Sequence, residues 1–234
     1  MPPEPTAPTS PEDEEPPRSR RLLFILVALG VVSAVIAGVV VFSGGGSTAP
    51  PKDPEAKLRA NGESLTVGSA DAPMKVVVYE DFGGRQSRDF ETASRDFLRV
   101  EAAQGRVHVE YRPFSLADGY SRSALEAWAA VLDGGTPKQA LAFHDELFDR
   151  QPPSGSAAPA ASELEAWAVD AGVDKGLASD ALERSDPDFV EAARRSARTA
   201  KVESAPTVLV DRNPFGSGNG VELADQLQRK ILTG

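Results

Sequence analysis

The feature that most constrains this chain is a run of 21 residues, Leu22 to Phe42, that carries no charge at all. A helix rises about 1.5 Å per residue, so the run reaches about 30 Å, the thickness of a hydrocarbon core. It is longer than the apolar region of a secretory signal, and no small-x-small cleavage pattern sits cleanly behind it. The run therefore predicts one transmembrane helix over 22–42, anchoring the chain in the cell membrane. Arg18, Arg20 and Arg21 stand directly before it. Positive charge marks the cytoplasmic flank of a span, which puts the N-terminus in the cytoplasm and the rest of the chain outside.

The flanks read differently from the core. Met1 to Pro17 holds seven prolines and five acidic residues. Such a segment buries too little apolar surface to offset its ordering entropy, so 1–21 is expected to be a disordered cytoplasmic tail. On the other side, 43–61 begins SGGGSTAPPKDPEAK. Glycine, serine and proline without apolar periodicity read as a flexible linker. Residues 62–234 have the length of a single domain and show no internal repeat.

Composition removes several classes of function. The 234 residues include 35 Asp+Glu against 25 Lys+Arg, a net charge of −10. A nucleic-acid binder needs a basic footprint to displace counterions from phosphate, so none is expected here. There is no cysteine, hence no disulfide, thiolate metal site, thiol nucleophile or dithiol redox motif. The two histidines, His108 and His144, are 36 residues apart and form no local metal motif. No cofactor or metal is expected.

Within 62–234 the patterning alternates between strand and helix. Met74 to Asp81 (MKVVVYED) is a short β-branched run after a turn signal at Asp71-Ala72-Pro73, and reads as a buried strand. Gln86 to Gln104 places Phe90, Ala93, Phe97, Leu98 and Val100 near helical spacing, and Gly105 ends it. Val107 to Phe114 alternates and reads as a second strand, completing a βαβ unit with a parallel pair. A helical block follows: Ser121 to Leu132, Thr136 to Arg150 with Thr-Pro-Lys-Gln as its start, a helix opened by Ser162-Glu163-Leu164-Glu165, and one from Asp186-Pro187 through Ala200. Thr207 to Asp211 returns to strand, Arg212-Asn213 turn, Pro214-Phe215 form an edge strand, and Val221 to Leu232 close with a helix.

This order resembles the thioredoxin fold with the helical insertion of DsbA-like proteins. Several strings carry the resemblance, which covers about Val67 to Leu232. They are Val67 to Pro73 leading into Lys75 to Phe82, Phe143 to Phe148 followed by Gln151-Pro152, and Ala205-Pro206 entering Thr207-Val208. The expected fold class is thus α/β, a thioredoxin-like fold with a helical insertion, preceded by a single transmembrane helix.

The departure from the family pattern is chemical. Active relatives place C-x-x-C one residue after the Asp-Phe pair. Here the string is Asp81-Phe82-Gly83-Gly84-Arg85-Gln86-Ser87, with Gly84 and Ser87 in the two cysteine positions. Glycine offers no nucleophile, and serine cannot resolve a mixed disulfide. No catalytic residue is therefore expected for thiol-disulfide exchange. What remains is a helix N-terminus at Gly84, Arg85, Gln86 and Ser87, beside the loop at Ala205 and Pro206. The resemblance implies that Pro206 is cis and that this loop pairs with an extended extracytoplasmic protein or peptide by main-chain hydrogen bonds.

Three alternatives stay open on sequence alone. The fold assigns the chain to the DsbA-like disulfide oxidoreductase and isomerase family, whatever its own chemistry. Ser87 could serve as a nucleophile, but only with an adjacent base such as Asp81; His144, between Phe143 and Leu147, reads as packing, and His108 as a surface or edge residue. Finally, the tail and anchor could carry the function, with the folded domain as scaffold.

Overall fold

The computed structural model describes residues 57–183 and 186–234. The tail, the 22–42 run and most of the linker lie outside the described residues. Among the described residues no helix is long and apolar enough to cross a membrane.

The core is one six-stranded sheet: β1 (Leu58–Asn61), β2 (Ser64–Val67), β3 (Met74–Glu80), β4 (Val107–Pro113), β5 (Thr207–Val210) and β6 (Asn213–Phe215), in the spatial order β1-β2-β4-β3-β5-β6. β3 and β4 run parallel, with Val76 opposite Val109 and Glu80 opposite Pro113. The other neighbours are antiparallel. The parallel pair follows from the helix between its strands, α1 (Arg85–Ala103), since a parallel pair needs a long crossover. β4 alternates buried and half-buried residues along its whole length, as its apolar/polar pattern requires.

The sheet divides two cores. Val76, Val78, Val107, Val109, Tyr111, Val208 and Val210 pack with Phe90 and Leu98 of α1 and with Leu223, Leu227 and Ile231 of the last helix, α7 (Gly220–Thr233). Tyr79, with Val77 and Leu209 against it, joins a second cluster made largely by the helical block: α2 (Tyr120–Gly134), α3 (Pro137–Asp149), α4 (Ala161–Asp170), α5 (Lys175–Glu183) and α6 (Pro187–Thr199). Trp128 of α2 is fully buried there, and its indole N–H donates to the Ala140 carbonyl at 3.0 Å. Burial without a lost hydrogen bond is the arrangement a core tryptophan needs.

Local chemistry sets the helix ends. Thr136 and Gln139 form a reciprocal capping box, with Pro137 at the first turn of α3. The Asp186 carboxylate accepts the Phe189 N–H at 2.9 Å and opens α6. α1 ends at Gly105 (φ +75°), whose left-handed backbone lets Arg106 N–H reach back to the Glu101 carbonyl at 3.0 Å.

Several expectations need correction. The expected linker runs into the sheet, because Leu58–Asn61 pairs with β2 as an edge hairpin; its residues are largely exposed, so burial left no pattern to read. α5 was not expected, although Asp174 caps its start, its carboxylate accepting the N–H groups of Gly176 at 2.8 Å and Leu177 at 3.3 Å. α4 begins one residue before Ser162, at Ala161, and Glu163 accepts the Ala160 N–H at 2.8 Å. The β5–β6 turn is Asp211-Arg212, both at positive φ, with Asn213 already in strand. Val100 faces solvent, one position off the buried stripe of α1. His108 lies half-buried on a central strand rather than at an edge.

Candidate functional site

The site is built where β3 ends. Asp81 follows the last residue of β3, and its buried carboxylate organises the loop that leads into α1. Oδ1 accepts from Gly83 N–H at 2.8 Å and from the Ser121 hydroxyl at 2.5 Å, and Oδ2 accepts from Leu116 N–H at 3.0 Å. The Asp81 carbonyl takes the Gly84 N–H at 2.8 Å. From the helical block, Gln151 donates its amide to the carbonyls of Phe82 (2.5 Å) and Gly84 (3.1 Å). Gly83 touches α2 so closely that a Cβ there would lie 2.9 Å from Ser121 Cβ. A side chain at 83 would force the loop off α2.

The two positions matching the family's cysteines are now explicit. Gly84 is the N-cap of α1 with φ −82° and ψ 117°, and no side chain caps the helix. Any L-residue adopts that backbone, although a Cβ there would lie 3.1 Å from the Asp81 carbonyl oxygen and 3.3 Å from the Ser87 hydroxyl. Ser87 is completely buried, and its hydroxyl accepts the Asp81 N–H at 3.1 Å. No imidazole or carboxylate bonds to that hydroxyl among the described residues, and Asp81 spends its own carboxylate on three donors. The serine-nucleophile reading therefore fails on geometry: no base and no access.

Arg85 projects from the first turn, its side chain 78% exposed, with only a 3.8 Å contact to Asp89. Gln86 is exposed too, but its Oε1 accepts the first N–H of α7, from Gly220, at 2.7 Å. A Cβ on Gly220 would meet the Gln86 carbonyl at 2.1 Å. Gln86 thus joins the starts of two helices and is a structural tie. The N–H groups of Arg85, Gln86 and Ser87 are first-turn donors without an intrahelical acceptor.

The peptide bond between Ala205 and Pro206 is cis. The register carries this loop to the same end of the sheet: Thr207 pairs with Tyr79, two residues before Asp81. No hydrogen bond among the described residues engages the Ala205 backbone. The structure thus brings Ala205 and Pro206 to the sheet end that launches Gly84–Ser87.

Directly behind the loop lies a cluster that sequence reasoning missed. Glu80 of β3, Glu91 of α1 and His144 of α3 are all fully buried. His144 Nε2 and Glu80 Oε1 are 2.5 Å apart, while its Nδ1 faces Asp145 Oδ1 at 3.4 Å. Arg99 donates to that same Asp145 oxygen at 2.6 Å. The Phe82 and Phe148 rings close over the imidazole at 5.6 and 5.1 Å. Burial alone would depress the imidazole, but the facing Glu80 carboxylate and the hydrogen bond with Asp145 raise it to about 10. Burial, helped by Glu80, lifts Glu91 to about 8. Asp145 is held down at about 2: burial opposes this, and the hydrogen bonds from His144 and Arg99 outweigh it. Two signals in the sequence pointed here. Glu80 is a charge within an apolar strand, and Glu91 falls on the Ser87-Phe90-Ser94-Leu98 face of α1 that helical spacing turns inward.

Comparison with known proteins agrees with this architecture. A thioredoxin family model matches residues 60–228. No curated protein sequence matches significantly. Among solved structures, MdbA of Corynebacterium diphtheriae, a thiol-disulfide oxidoreductase, superposes with a TM-score of 0.64 at 16% identity, covering 77% of this chain and 95% of its own. DsbA of Mycobacterium tuberculosis in its reduced form gives 0.60 at 23% identity, over 74% and 94%. Oxidised BdbD of Bacillus subtilis gives 0.62 at 19%, over 78% and 100%. Such identities speak to fold alone. The chain belongs to the thioredoxin family, in the form that carries a DsbA-like helical insertion, and it has no cysteine with which to exchange a disulfide.

Proposed function

We propose that this protein is a redox-inactive, membrane-anchored member of the family whose extracytoplasmic domain binds an extended protein or peptide. The contact surface is the cleft between the first turn of α1 and the loop at Ala205-Pro206. One observation carries the reading: the Ala205 backbone is unengaged at the sheet end where α1 begins with an uncapped first turn. An extended segment laid there can pair main chain to main chain, as strand addition does, with no thiol involved. The uncapped first turn offers donors and a positive dipole end to an acceptor on the same segment. Arg85 and the half-exposed Leu116, whose N–H is fixed by Asp81, flank the loop and supply charge and apolar contact. The anchor is the 22–42 run, and its arginine flank supports an outside location for the domain.

The test is site-specific photo-crosslinking in native membranes. A photoreactive residue replaces Arg85, with a control at the exposed Ala166 of α4. A discrete adduct from Arg85 and none from Ala166 supports the reading and names the partner. Equal or absent labelling at both positions contradicts it and leaves the cleft as scaffold.

A further inference from the structure

We propose that Glu80, Glu91 and His144 form a binding site for one first-row divalent cation of the Zn2+ type, which ties together β3, α1 and the helical insertion. The inference does not depend on the cleft being used. One ligand atom from each residue lies within 4.8 Å of the other two. Two ligands of one tetrahedral ion sit about 3.4 Å apart, given metal–ligand distances of about 2.0–2.2 Å. The three donors therefore need to move by about 1 Å.

The second observation is polar capacity with nothing to meet it. Both oxygens of Glu91 and Oε2 of Glu80 are buried with no hydrogen-bond partner. Tyr111 Oη is likewise buried and unpartnered, and its ring stands 5.0 Å from the imidazole. Buried polar atoms are ordinarily satisfied, and three orphan carboxylate oxygens in one spot leave ligand capacity that nothing among the described residues fills. Arg95 and Arg99 make their ion pairs with Asp149 and Asp145, and although Arg95 Nε and Nη2 and Arg99 Nε are themselves unpartnered, none of them bonds to these oxygens.

The surroundings also fit a metal-binding histidine. Asp145 faces Nδ1, and Arg99 holds Asp145 in place. A carboxylate on the far ring nitrogen fixes the tautomer and turns Nε2 towards the metal. Two carboxylates balance the charge of a divalent ion once it has displaced the protons from the imidazole and Glu91. An O,O,N donor set suits Zn2+ or Mn2+. It does not suit Ca2+ or Mg2+, which prefer all-oxygen shells and retained water, in a site where all three side chains are completely buried.

The test uses the full-length chain in detergent, stripped with a chelator and titrated with ZnCl2, with MgCl2 in parallel. Metal retained after desalting is measured by mass spectrometry, and unfolding by circular dichroism. The expectation is about one Zn2+ per chain, with Tm raised by about 5–10 °C at free Zn2+ about 100-fold above Kd. Mg2+ should do neither. Glu91→Gln should abolish retention, and Asp145→Asn should weaken affinity about 10–100-fold. Should the Glu91 variant not fold, Co2+ loaded into the unsubstituted chain keeps the question open to refutation: an intense visible band reports a tetrahedral site. Retention below about 0.1 equivalent with no change in Tm, or undiminished retention by a folded Glu91→Gln chain, overturns the proposal. So does the absence of a visible Co2+ band.

Discussion

Removing the Asp81 carboxylate should unlock the whole loop before α1. The side chain is 4% exposed and accepts three hydrogen bonds, from Gly83 N–H, Leu116 N–H and the Ser121 hydroxyl. Two of the donors are backbone groups with nowhere else to turn, so Asp81→Ala leaves them unpaired beside a small void. A hydrogen bond to a charged acceptor is worth about 1.5–3 kcal/mol, and an abandoned buried donor costs about 1–3 kcal/mol. Solvent entering at the half-exposed Gly83 and Leu116 side recovers part of that. The expected loss is about 3–5 kcal/mol, or about 6–20 °C in Tm for a domain of this size. Asp81→Asn keeps one acceptor oxygen and should lose about half as much. Urea unfolding of the full-length chain, followed by tryptophan fluorescence, reads the difference as a shift in midpoint at constant slope. A double-mutant cycle with Ser121→Ala isolates the shortest of the three bonds and should show coupling of about 1 kcal/mol or more. An Asp81→Ala chain within about 1 kcal/mol of the parent would refute the view that this carboxylate holds the loop.

Further expectations follow from the same structure. In the presence of a chelator, stability should fall as pH rises from about 5 to about 9. Glu91 and His144 both have folded values above their ordinary ones, about 8 and about 10. Their contributions are therefore complete below about 4.5 and 6.5 and are lost as pH rises through the folded values. Glu80, Arg95, Arg99, Tyr111 and Asp145 face this pair, and Asp145, depressed to about 2, withdraws its own contribution only as pH falls below about 4. Glu91→Gln should flatten the loss between pH 5 and 8 in a Tm series, and an unaltered slope would count against the assignment. The unsubstituted chain should reduce insulin no faster than buffer with dithiothreitol. Gly84→Cys with Ser87→Cys should raise that rate, because Gly84 already has an ordinary backbone conformation at an uncapped helix start that favours a thiolate. Arg212 sits at φ +71° in a two-residue hairpin turn, so Arg212→Gly should stabilise by about 0.5–1 kcal/mol, and a lower urea midpoint would contradict the turn geometry.

The legible parts of this fold were those where local signal and tertiary role coincide. β3 and β4 read as strands because β-branched residues alternate towards a core that does exist. α3 and α6 announced their starts through Thr136-Pro137 and Asp186-Pro187. Resemblance located Gly84 and Ser87 as the emptied cysteine positions and Ala205-Pro206 as the facing loop, and the register of β3 with β5 brings them to one end of the sheet. Where side chains make contacts across long sequence separations, the sequence was silent. Gln86 was expected among the peptide-binding residues of the helix start, yet its side chain receives Gly220 N–H across 134 positions. His144 looked like packing, and it is packed, but against a carboxylate 64 residues away. Neither partner could be found by spacing, because nothing periodic relates β3 to α3. The exposed hairpin strand β1 was invisible for the opposite reason: it has no buried face.

The central claim is that a cysteine-free cleft still holds an extended partner. The most direct measurement places photoreactive residues one at a time at Arg85 and at Ser204, both exposed, on the two walls of the cleft. Adducts from native membranes are then compared by mass. The account predicts the same partner from both positions, through peptides within one short stretch of its chain. Unrelated adducts from the two walls, or none, would contradict it.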